Sequence, residues 1–188
     1  MSHDDACFVD QVDEEDQRFL GPAQGAPVDA DPHRFTGAGL ATSLVGAGLE
    51  GQQFLNDVLG VVHVDDDAGT LADNQVALHA QPTGDAFTLR VDEWVINGGC
   101  PERLDFDAVS PIGSATAIAR YLGPDGNPGG YPFVAGVHHV EWTTGAEIVY
   151  LPYDLGNVLC SPGWQPPAGY EGIAARTVLL EDILTTFG

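Results

Sequence analysis

Lysine is missing from this chain altogether. Its basic residues are six arginines (Arg18, Arg34, Arg90, Arg103, Arg120 and Arg176) against 28 Asp and Glu, a formal net charge of −22 over 188 residues. A surface of that sign repels phosphate backbones and anionic lipid, so neither nucleic acid nor a membrane is expected as a partner. A protein partner, or other domains of a longer chain, is the class left open. Apolar runs are short: no window of about 18 apolar residues exists, and no membrane-spanning helix is expected. The opening residues Met1-Ser2-His3-Asp4-Asp5 are acidic and lack an apolar stretch, unlike a signal peptide. The expected location is cytoplasmic if Met1 is the true start, and extracellular if the chain is a fragment. Cysteine is scarce too. Cys7, Cys100 and Cys160 form no C-x-x-C pair, which excludes a zinc ribbon or thioredoxin-type motif. Whether Cys100 and Cys160 bond to each other is open from spacing alone.

What is present suffices for one core. Hydrophobic residues make up 44% of the chain, with eight Phe, while 24 Gly and 13 Pro imply many or long loops. Residues 1–35 hold nine acids and two arginines without a sustained apolar period, and read as an acidic, mostly irregular leader. Residues 36–188 read as a single α/β domain. The glycine-flanked apolar run 40–45 suits a buried strand, residues 52–59 a helix closed by Gly60, and 61–64 a returning strand. That order points to an α/β unit. Short strands follow over 75–80, 86–91 and 115–122. A strand over 133–142 returns from a long glycine-rich turn at 123–130, completing an added hairpin over 115–142. Residues 147–152 suit a strand buried on both faces. Leu180, Ile183, Leu184 and Phe187 fall on one face of a helix starting near Gly172.

This order of parts resembles the C-terminal portion of a class I glutamine amidotransferase-like domain, of the divergent type found in multidomain extracellular bacterial proteins. Leu44-Val45-Gly46-Ala47-Gly48-Leu49-Glu50-Gly51-Gln52 is similar to the family's nucleophile elbow, with one extra residue before Gly51. Val137-His138-His139-Val140-Glu141 has the family's H-x-E spacing, Val140 replacing its proline. The resemblance implies a three-layer sandwich, flavodoxin-like or amidotransferase-like, around a mixed sheet. It implies His139 as base and Glu141 as its orienting carboxylate. The family's strands ahead of the elbow do not fit in the leader, so either the fold is trimmed or the chain is a fragment.

Departures from the pattern set the functional expectation. The nucleophile position falls on Gly48, which has no side chain to attack with. Cys100 precedes Pro101, and proline has no N–H to offer an oxyanion. Ser114 lacks the second glycine of G-x-S-x-G. The first expectation is therefore a non-catalytic amidotransferase-like module that binds or scaffolds. One alternative is a hydrolase, amidohydrolase or metal-dependent, using His139 and Glu141. Another is a divalent-cation-binding acidic surface module.

No cofactor is expected. Zinc at His63, Asp65 and His79, or calcium at the turns 65–69 and 125–129, are the metal alternatives, against the simpler reading of separate strand histidines and acidic turns. Gly46, Gly48 and Gly51 match a dinucleotide loop by spacing, but no acidic residue ends a following strand about twenty residues on. Trp94, Trp142 and Trp164 with Tyr131, Tyr150, Tyr153 and Tyr170 offer either a sugar platform or ordinary packing. Nineteen acids remain after the leader and are spread along it. Such a dispersed, lysine-free surface suits high ionic strength, where salt screens self-repulsion.

Overall fold

The computed structural model describes residues 39–66, 79–84, 88–96, 106–122, 134–160 and 164–187. The leader 1–35, Cys7, Cys100, Tyr131 and the turn 125–129 lie outside these residues, as do most of the expected strand 75–80 and part of that at 86–91.

Two short helices, α1 (Leu40–Gly46) and α2 (Leu49–Gln53), run into a π-helical turn (Phe54–Val58) and then β1 (Val61–Asp65). There follow β2 (His79–Pro82), β3 (Trp94–Val95), β4 (Ala108–Pro111), β5 (Thr116–Tyr121), β6 (Val134–Val140), β7 (Glu147–Tyr150), a 3₁₀ turn (Leu155–Asn157), β8 (Leu159–Cys160) and α3 (Ala175–Thr186). β1 pairs with β4 in a two-stranded sheet, and the other six strands run in the order β7-β6-β5-β2-β3-β8.

The mixture of helices and strands is as expected. Every strand pairing among the described residues, however, is antiparallel, where the amidotransferase resemblance implies a mixed sheet. Where strands follow one another closely, as β6 and β7 do, a short turn permits only antiparallel pairing. The hairpin over 115–142 forms, with Thr116 opposite His138 and Ala117 opposite Val137. It is no addition to the sheet: β5 stands between β6 and β2.

The run 40–45 forms α1 and not a strand. A short apolar stretch cannot decide between the two by periodicity, and Gly39, at the N-cap, brings no side chain to cap with. The missing acceptor comes from Asp107, 66 residues away, which takes the N–H of Ala41 at 2.6 Å and that of Thr42 at 3.2 Å. These are the second and third residues of α1, the N–H groups a capping side chain ordinarily satisfies.

Two apolar clusters hold the fold. One gathers Trp94, Ile96, Phe106, Tyr121, Tyr153 and the inner face of α3. The other gathers Ala41 of α1, Leu55, Leu59, Val61 and Val109. β6 feeds both, Ala135 into the first and Val134 and Val137 into the second. It is β6, not the segment 147–152, that is buried along most of its length; β7 grades from exposed Glu147 to buried Tyr150.

Helix α3 forms where the spacing predicts, but turned about its axis. Ala175, Val178, Leu179, Asp182 and Ile183 face inward, while Leu180, Leu184 and Phe187 are exposed. The cause is polar. Asp182 accepts the backbone N–H of Arg90 at 2.6 Å and also pairs with the Arg90 guanidinium. That guanidinium reaches Glu181 at 2.7 Å and lies 4.5 Å from the centre of the Tyr170 ring. Tyr170 and Arg90 together hold the Glu181 carboxyl below its ordinary range. An acid on the inward face fixes the rotation of the helix, because only there do both its oxygens find donors.

Candidate functional site

His139 sits near the end of β6, buried, with its ring against Gly60, where an added Cβ would fall 2.7 Å from the ring's Cγ. Its Nε2 meets the backbone carbonyl of Asp57 at 3.3 Å, and its Nδ1 is buried without a hydrogen-bond partner. Glu141 points elsewhere. Its two oxygens accept the N–H groups of Thr143 and Thr144 at 2.8 and 2.7 Å and the Thr144 hydroxyl at 2.6 Å. The carboxylate thereby closes the turn between β6 and β7, and no hydrogen bond joins it to His139 among the described residues.

The Thr144 hydroxyl and the Thr143 amide pull the Glu141 carboxyl down to about 2. A carboxyl lowered in this way contributes stability above its ordinary value, and that contribution is lost as pH falls through the lowered value. Carbon-detected NMR is expected to place the Glu141 titration near pH 2. A midpoint at an ordinary glutamate value would show that the turn does not hold it.

Gly48, at the nucleophile position, is the exposed N-cap of α2 with φ 84° and ψ −147°, a conformation nearly closed to side-chain-bearing residues. Gly51 is buried where α2 crosses α1. A Cβ there would overlap the Leu44 carbonyl oxygen and fall 2.7 Å from its carbon. The glycine pattern thus shapes a tight corner between two helices, in place of the strand-to-helix elbow. Ser114 is exposed in the turn before β5.

The expected metal residues are dispersed. His63 lies on β1 in the two-stranded sheet, whereas His79 lies on β2 in the other and bonds Glu93 through Nδ1 at 2.6 Å. No group of three His, Cys, Asp or Glu is placed to hold a metal among the described residues. His138 faces Glu147 across β6 and β7 at 3.4 Å. The aromatics divide likewise: Trp94 and Tyr153 are buried and share a hydrogen bond of 3.1 Å, while Trp142 is 83% exposed on the β6–β7 turn. Cys160 is a half-buried free thiol.

The structure brings together a set the motifs do not single out. Thr42 Oγ1 lies 2.7 Å from Asp107 Oδ1 and 3.0 Å from His63 Nε2, and that nitrogen is 3.9 Å from the same carboxylate oxygen. Asp107 is fully buried. Burial pushes its carboxyl up, and the Thr42 hydroxyl, the Ala41 and Thr42 amides and His63 pull it part of the way back. The buried Tyr150 hydroxyl lies close to Asp107 without making a hydrogen bond of ordinary geometry. A signal for Asp107 was present in Phe106-Asp107-Ala108-Val109, an acid inside an apolar run, since a buried acid must have donors around it.

Hydroxyl, imidazole and carboxylate are the parts of a hydrolytic relay, but here their order differs. In such a relay the imidazole stands between the other two, one ring nitrogen on each. In this cluster the hydroxyl stands between, and both carboxylate oxygens are committed to α1. No family model, curated protein or solved structure matches the chain. Function therefore has to be read from this wiring alone.

Proposed function

We propose that the chain is a non-catalytic module with a binding or scaffolding role. The wiring of Asp107 carries this reading. The buried carboxylate nearest to a hydroxyl and an imidazole is spent on holding α1. The residues implied as catalytic agree with it. His139 is held by a backbone carbonyl, Glu141 by its own turn, and Gly48 offers no nucleophile.

An amidotransferase-like three-layer sandwich belongs to the same proposal. Apolar clusters fed from both sides by β6 support it. The helix α1 before the corner and the antiparallel pairing do not.

The test is turnover. Incubated with glutamine, with a nitrophenyl ester, and with each after loading with zinc or calcium, the protein is expected to match the buffer blank. Hydrolysis above the blank that disappears in His139→Ala or Glu141→Gln would establish the hydrolase instead.

A further inference from the structure

The cluster of Thr42, His63 and Asp107 ties a helix end to groups that can take up a proton. Ala41 is itself fully buried in the second apolar cluster, so α1 cannot lift from Asp107 without exposing that core. The groups facing the carboxylate come from each element around it. They are the amides and hydroxyl of α1, His63 of β1, Tyr150 of β7 and, at longer range, Tyr121 of β5. Both tyrosine hydroxyls are pushed up by burial and stay neutral. Among the described residues, His63 is thus the facing group able to supply positive charge.

With Asp107 ionised, the hydrogen bonds run one way: His63 Nε2–H donates to Thr42 Oγ1, and the Thr42 hydroxyl donates to Oδ1. A proton placed on Oδ1 reverses the chain. The carboxyl then donates to Thr42 Oγ1, the hydroxyl turns to donate to His63 Nε2, and the neutral imidazole changes tautomer, giving up its Nε2 hydrogen to solvent and taking one on Nδ1. A proton placed on the imidazole instead leaves the direction unchanged and sets an imidazolium 3.9 Å from the buried carboxylate. The two protonations oppose each other, because an imidazolium cannot accept from Thr42. The cluster takes one proton from solvent and returns it there.

We propose that Asp107, Thr42 and His63 form a proton-dependent clasp that seats α1 more firmly when the cluster has taken up its proton and loosens it as pH rises. The direction follows from burial. A carboxylate kept from water is costly in the ionised state, and either site for the proton removes or offsets that charge. A carboxyl raised on folding contributes stability that is complete below its ordinary value and is lost as pH rises through the raised one. Loosening would uncover the α1 and α2 side of the second core, a regulated apolar surface in a module otherwise built to stay closed.

Amide hydrogen exchange tests this on the intact protein. Protection factors of the Ala41 and Thr42 amides are expected to fall by about tenfold as pH rises from about 3, below the ordinary value of the Asp107 carboxyl, to about 6, relative to Ala119 and Val137 in the six-stranded sheet, for about one unit of linked pKa change. Referring them to the sheet divides out the general effect of net charge. In Asp107→Asn the relative protection should no longer depend on pH. In wild type, His63→Gln should alter the profile, and in a Thr42→Val background, where only the 3.9 Å charge contact is left, it should alter it less. A pH-independent ratio in wild type overturns the clasp, as does an unchanged slope in Asp107→Asn. Should Asp107→Asn fail to fold, the wild-type profile and the Thr42→Val background decide. Neither outcome depends on whether the protein hydrolyses anything, so the clasp and the non-catalytic reading fail separately.

Discussion

Asp107→Ala is expected to lower stability by about 3 kcal/mol, because it leaves buried donors with no acceptor. The Ala41 amide has no route to water, and the amide and hydroxyl of the half-buried Thr42 lose their shared acceptor. Each buried donor left alone costs roughly 1–3 kcal/mol, with solvent recovering part of the loss at Thr42. Against a typical total of about 5–15 kcal/mol, this is a large share. Urea titration followed by circular dichroism would measure it.

The pH dependence gives a second, independent sign. Wild type gains stability in acid through the raised Asp107 carboxyl, and the alanine variant lacks that gain. The gap between the two proteins should therefore widen as pH falls. A gap that narrows in acid would mean that Asp107 acts as an ordinary ion pair with His63.

Gly51→Ala tests the helix corner, and here propensity and packing predict opposite signs. Alanine in place of a helical glycine ordinarily gains up to about 1 kcal/mol. At this position the new methyl would meet the Leu44 carbonyl group and its Cα at 3.1 Å, all backbone atoms. Only displacement of α1 relieves the overlap, and α1 is tied down by Asp107. A loss of about 3 kcal/mol is expected, at the upper end for overpacking. Gly46→Ala is the control, since a Cβ there meets no atom within 4 Å and should leave stability near wild type. A stabilised Gly51→Ala would show that the two helices do not cross as described.

Local patterns were legible in the sequence wherever neighbours in sequence are also neighbours in space. The β5–β6–β7 meander and the existence of α3 follow from alternation, turn glycines and helical spacing over short stretches. What was not legible depends on distant partners. The state of residues 40–45 is decided by Asp107, and the rotation of α3 by Arg90, 92 residues before Asp182. The motif residues His139 and Glu141 were legible as a spacing, but alternation along an ideal strand says nothing of a carboxylate that turns back to close its own turn. The glycine triplet was misleading for a related reason. Gly48 answers to backbone conformation and Gly51 to the approach of another helix, and a spacing rule distinguishes neither from a phosphate loop.

The connectivity of the six-stranded sheet also bears on how the chain reaches this state. β5, β6 and β7 are paired in sequence order and can zip early, each closing a short loop. β3 can pair with β2, but its other edge stays open until β8 arrives, since Trp94 also pairs with Cys160, and α1 must wait for Asp107. Until those distant partners arrive, β6 would offer both of its apolar faces to solvent at once. The order of events then favours a meander that collapses first and is sealed last by its two ends. Such a reliance on late, long-range closure slows folding and leaves its early species prone to self-association. The dense negative charge of the chain opposes that self-association while the seals are still open.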